Sequence, residues 1–82
     1  MKSNDVKKGT KLRTTAGFDG EMFDNKRGNT RTVKVAGLFG ESIGSTYVWD
    51  IAYVYNEDGE PEEIELTESQ KKTRATVKAL GF

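Results

Sequence analysis

The chain has no cysteine, no histidine and a single proline among its 82 residues. Without cysteine there is neither a disulfide framework nor a thiolate metal site, which suits a reducing compartment such as the cytosol. Without histidine, the side chain that ordinarily titrates near neutral pH is missing. Together these absences exclude Ser-His-Asp and Cys-His catalysis, zinc fingers and zinc hydrolase sites. No nucleophile is paired with a base, so the chain is expected not to be an enzyme and to use no cofactor or metal. No apolar run approaches the roughly 20 residues that span a bilayer, and the opening MKSNDVKKGTK has no apolar signal core. A soluble, cytoplasmic protein without membrane contact is expected.

Charge is plentiful and balanced, thirteen basic against thirteen acidic residues, but it is segregated. Met1 to Lys34 holds nine basic and four acidic residues, Val35 to Gln70 nine acidic and no basic ones, and Lys71 to Phe82 four basic and no acidic ones. Either the blocks neutralise one another as the chain closes, or they leave a basic patch for an anionic partner.

Met1 to Asp5 is polar and reads as a flexible arm (1–5), with one domain over 6–82. Strands are expected at about 10–15, 21–25, 30–36, 46–55 and 62–66. In the first, Leu12 alternates with Lys11 and Arg13. The turn formers from Asp24 to Asn29 make a hairpin tip before Thr32, Val33 and Val35, with Arg31 sharing the face of the two valines. Thr46 to Tyr55 carries the strongest strand signal, with Tyr47, Trp49, Ile51, Tyr53 and Tyr55 on one face and Val48, Asp50, Ala52 and Val54 on the other. Gly59 and Pro61 mark a turn, after which Ile64 and Leu66 alternate inward. Thr67-Glu68-Ser69-Gln70 matches a capping box and predicts a helix over about 68–80, with a basic face of Lys71, Arg74 and Lys78 that docks against the acidic stretch.

Short strands, tight turns and one helix make a mainly β fold, a five-stranded SH3-like barrel with one C-terminal α-helix, the economical architecture. Val6-Lys7-Lys8-Gly9-Thr10-Lys11-Leu12-Arg13, followed by Gly17-Phe18-Asp19-Gly20-Glu21-Met22, resembles the opening of SH3-like barrels of the KOW type. Tyr47-Val48-Trp49-Asp50-Ile51 resembles the closing strand of photosystem I reaction-centre subunit IV, another SH3-like barrel. The likeness covers residues 6 to 55 and is one of pattern, and the C-terminal helix lies outside it. It implies RNA, ribosome or RNA polymerase contacts, although the basic positions do not match that family residue by residue. In size and style the chain also resembles small tailed-bacteriophage proteins, including those of cyanobacterial hosts, which implies a host or virion protein as partner in the host cytoplasm.

Two surfaces are candidates for binding. The first is a protein-binding surface of Leu38, Phe39, Ile43, Tyr47, Trp49 and Tyr53, since Trp and Tyr bring large contact area at little entropic cost. The plain alternative is that the aromatic stripe is the barrel core and that Leu38, Phe39 and Ile43 tuck over the barrel end. The second surface, for nucleic acid, is formed by Lys7, Lys8, Lys11, Arg13, Lys26, Arg27 and Arg31, close to Phe18 and Phe23. Its alternative is a solvated charged face. The Gly37 to Ser45 segment lacks both the Walker and the dinucleotide pattern, so it reads as a loop. Asn56, Asp58, Glu60, Glu62 and Glu63 lack a calcium-loop series. A non-catalytic binding or adaptor module is the leading reading, and nucleic-acid binding is the alternative. An unpaired strand edge and a small core favour a homodimer.

Overall fold

Strands form where short apolar alternations meet turn formers. In the computed structural model, which describes residues 1–25, 28–37 and 40–81, six strands make one open antiparallel sheet. They are Lys11–Thr14 (β1), Asp19–Asp24 (β2), Thr30–Gly37 (β3), Gly40–Tyr47 (β4), Ile51–Tyr55 (β5) and Pro61–Glu62 (β6), in the order β4-β3-β2-β1-β5-β6. A single α-helix, Glu68–Ala79 (α1), follows. The fold is therefore mainly β with a C-terminal helix, as the sequence predicts, but with six strands in place of five.

The core is a contact between alternating faces. Leu12 lies directly opposite Val54, and Met22 opposite Val33. Val6 and Ile51 complete the cluster, with Met1, Val35 and Ile64 packed against it. Each such burial contributes roughly 1.5–3 kcal/mol. Two register shifts bend the sheet. One falls between Met22 and Asp24 and turns Phe23 outward, where the Lys8 ammonium sits 4.9 Å from its ring centroid. The other falls in the β1–β5 ladder beside Arg13 and Thr14.

Three expectations are corrected. The segment expected as a loop over 37–45 is strand wherever it is described: Gly37 ends β3, and from Gly40 the chain is β4, an edge strand held by eight consecutive pairings with β3. The strand expected at 62–66 is only Pro61–Glu62, because the following residues pair with the N-terminal segment instead. Ser3 N donates to Glu65 O at 3.0 Å, and Glu65 N donates to Met1 O at 2.8 Å. Those bonds also overturn the flexible arm, since Ser3 is buried and Met1 packs on the core.

The Met1 ammonium lies 2.8 Å from the Glu62 carboxylate and holds that carboxyl below its ordinary value of 4.5, through the hydrogen bond first and charge second. A folded-state value below the unfolded one stabilises fully above the ordinary range, and the gain is lost as pH falls through the folded value. Glu62→Gln is expected to flatten the acid limb of the stability–pH curve measured by denaturant titration. An unchanged limb would show that the pair adds nothing.

The Thr67 capping box forms as read: Gln70 N donates to Thr67 Oγ1 at 3.1 Å and Thr67 N to Gln70 Oε1 at 2.9 Å. Of the helix's basic face only Arg74 is half-buried, beside Trp49, Ile64 and Leu66, and no ion pair among the described residues ties that face to the acidic stretch of another element. Lys71 pairs with Glu68 on the same helix, and Leu80 is 69% exposed. The hold comes from buried Gln70, whose Nε2 donates to Gly28 O at 2.8 Å while its Oε1 accepts from Ser3 Oγ at 2.8 Å.

Candidate protein-binding surface

The predicted strand 46–55 is broken by a 3-10 turn at Val48–Asp50. Val48 N donates to Asn29 O at 2.9 Å on one side, and Thr15 N to Asp50 O at 2.8 Å on the other, so the corner is pinned at both ends. A turn of about three residues brings Val48 and Ile51 to the same side, and with Val54 they are buried. The aromatic stripe is therefore not the core. Its period of two is real, but the chain does not stay extended long enough to use it.

Tyr47 and Trp49, freed from the core by that turn, stack face to face with ring centroids 4.6 Å apart and planes 10° apart. Tyr47 is exposed and Trp49 half-buried. Ile43, 54% exposed, shares the outer face of β4 with Tyr47. Tyr53 and Tyr55 flank the fully buried Val54 and meet edge to face at 5.5 Å. They sit on β5, at the other side of the sheet from β4. The proposed stripe thus splits into a β4 patch of Ile43, Tyr47 and Trp49 and a separate β5 pair. Leu38 and Phe39 lie outside the described residues.

Comparison with family models, with curated proteins and with solved structures returned no match.

Among the described residues, Lys11, Arg13 and Lys34 are taken up in ion pairs on the sheet. Lys11 Nζ lies 3.2 Å from Glu21, and Arg13 Nη1 lies 2.8 Å from Asp19, which raises the Arg13 pKa through that hydrogen bond and the accompanying charge. Lys34 bridges Glu21 and Glu41 at 4.0 and 3.0 Å, and Glu41 raises its pKa. These are cross-strand pairs, so the sheet neutralises its own cations locally. Lys7 and Lys8 are exposed, and Lys26 and Arg27 lie outside the described residues.

Arg31 is a correction. It is 2% exposed, facing inward with Val33, and desolvation lowers its pKa. Its Nε donates to Asn25 Oδ1, its Nη1 to the carbonyls of Gly28 and Thr30 at 2.9 and 2.8 Å, and its Nη2 to Asn4 Oδ1 at 2.8 Å. A guanidinium so enclosed cannot reach a phosphate. Sequence reasoning missed its partners because Asn4 and Asn25 are ordinary turn residues in sequence. The available signal was Arg31 on the face of two valines.

Among the described residues, no group of three or more His, Cys, Asp or Glu side chains could hold a metal ion. No helix of the described residues is long and apolar enough to cross a membrane.

Proposed function

We propose that the protein is a non-catalytic binding module built on an SH3-like barrel, and that it takes a protein partner on the patch of Ile43, Tyr47 and Trp49. The barrel reading is supported by β1 pairing on both sides, with β2 and β5, and by the 3-10 corner between β4 and β5. These features suit a sheet curling towards closure. The observation that carries the binding reading is the Tyr47–Trp49 stack, exposed at Tyr47 and half-buried at Trp49. Val48 and Ile51 fill the core positions beside it, so the rings are spare packing surface of the type enriched at binding hot spots.

The test is affinity capture with the wild type and with a Tyr47→Ala/Trp49→Ala variant, both checked for an unchanged unfolding midpoint. The variant is expected to lose the specific partner, a loss of about 2 kcal/mol or more in binding if the rings are a hot spot. Trp49 is the single tryptophan, so its fluorescence should shift when the purified partner is added. Equal capture by both proteins sinks the reading. The nucleic-acid alternative has less support, because Lys11 and Arg13 are ion-paired and Arg31 is enclosed.

A further inference from the structure

The two edges of the sheet are not alike. β6 is two residues long, begins with Pro61 and is flanked by Glu60 and Glu63, which are standard protections against edge pairing. β4 has none of these: it is eight residues long, keeps an unbroken register with β3 and carries one charged side chain, Glu41.

The direction of its backbone groups follows from the hairpin. Gly37 and Gly40 close it across two residues, so they form a hydrogen-bonded pair, and such pairs alternate along an antiparallel ladder. Gly40, Ser42, Gly44 and Thr46 therefore turn their N–H and C=O groups towards β3. Glu41, Ile43, Ser45 and Tyr47 turn theirs to the free edge, where the Tyr47 carbonyl takes a long 3.4 Å bond from Thr46 Oγ1. The bond from Val48 N to Asn29 O, one position further on, has the parity this requires.

Gly44 lies in the middle of this edge. Its φ is not positive, no register shift falls on it, and a Cβ built there meets nothing within 4 Å. Neither turn geometry nor internal crowding calls for glycine at this position. Close approach of another backbone is a recognised reason for glycine within a strand.

We propose that β4 pairs edge to edge with β4 of a second copy of this chain, antiparallel about a two-fold axis at Gly44. In that register Ile43 faces Ser45 of the second copy and Glu41 faces Tyr47, and both pairs exchange backbone bonds. Each exposed Ile43 lies diagonal to its mate, within reach for apolar contact. The charges suit a second copy. Glu41 is already neutralised by Lys34 at 3.0 Å, and the two Glu41 residues are held about 20 Å apart by six residues of strand. The same operation closes the edge on itself, so the assembly stops at two. This inference concerns the backbone edge; it shares Ile43 and Tyr47 with the proposed partner patch, but its test uses the purified chain alone, so its failure and the failure of the partner reading are read separately.

The test is sedimentation equilibrium from micromolar to millimolar protein, with amide exchange read residue by residue. The expected result is a reversible dimer in which protection of Ile43 and Ser45 amides rises with concentration while that of Ser42 and Gly44, already bonded to β3, does not. Ser45→Pro removes an outward N–H that β3 does not use, and Ile43→Lys places a charge on the exposed face. Each is expected to weaken the dimer at least about ten-fold, a change of 1.4 kcal/mol. Ile43→Lys should leave the monomer's unfolding midpoint unchanged, and it stands if the proline variant fails to fold. A monomer at millimolar concentration overturns the proposal. So does a dimer unaffected by Ile43→Lys, or protection that rises equally at both parities.

Discussion

Replacing Arg31 with alanine is expected to cost about 2–3 kcal/mol of folding stability, measured by urea titration. An 82-residue domain has roughly 4–12 kcal/mol in all, so this single change should remove a large share of it. The size follows from what the guanidinium leaves behind. Asn4, Asn25 and Thr30 lose the donor to one oxygen each, and Gly28 O, also held by Gln70, loses one of its two. Hydrogen bonds to a charged group contribute about 1.5–3 kcal/mol each, but Asn4, Gly28 and Thr30 are exposed and Asn25 half-buried, so their freed oxygens regain water. Against this stands the desolvation of the cation, which is why the total is not the sum. Arg31→Lys should fall between wild type and alanine, since an ammonium keeps the charge and three donors but cannot span the fork. A loss under about 1 kcal/mol for alanine would mean that the cluster is solvated and rearranges freely.

Gly20→Ala should cost about 2–3 kcal/mol, although it adds one methyl group. A Cβ at Gly20 would sit 2.5 Å from Lys34 O and 3.3 Å from Val35 Cγ2. The obstacle is β3 backbone, which cannot rotate aside as a side chain would. Gly44→Ala on β4 meets nothing and should change stability by no more than about 0.5 kcal/mol. The contrast between the two, read in the same urea titration, separates crowding from glycine's backbone entropy. Equal effects would refute the close approach of β2 to β3.

The parts legible in the sequence are those specified locally. The Thr67 box and the helix that follows depend on neighbours three residues apart, and the Leu12 alternation is set by burial on one face of β1. What escaped depends on distant partners. β4 is glycine- and serine-rich and has little strand propensity of its own; β3 templates it. Tyr47 to Tyr55 shows a perfect period of two, yet a pinned 3-10 corner buries Val48, Ile51 and Val54, a spacing of three that competes with the aromatic one. For the site, the result was mixed. Ile43 and Tyr47 are exposed and Trp49 half-buried, whereas Tyr53 is carried to another strand. Arg31 was assigned to a surface because charge in a sequence is read as exposure unless its partners are known.

The junction where Ser3, Gln70, Gly28 and Arg31 meet also constrains the order of events in folding. Ser3 and Gln70 are 67 positions apart, and Met1 and Glu62 are 61 apart. Closing a loop of that length from an open chain costs roughly 4 kcal/mol in entropy, far more than one hydrogen bond returns. These contacts become favourable only after the sheet has brought the two ends together. They therefore belong to the late part of the folding reaction, and weakening them acts on the rate at which the native state opens far more than on the rate at which it forms.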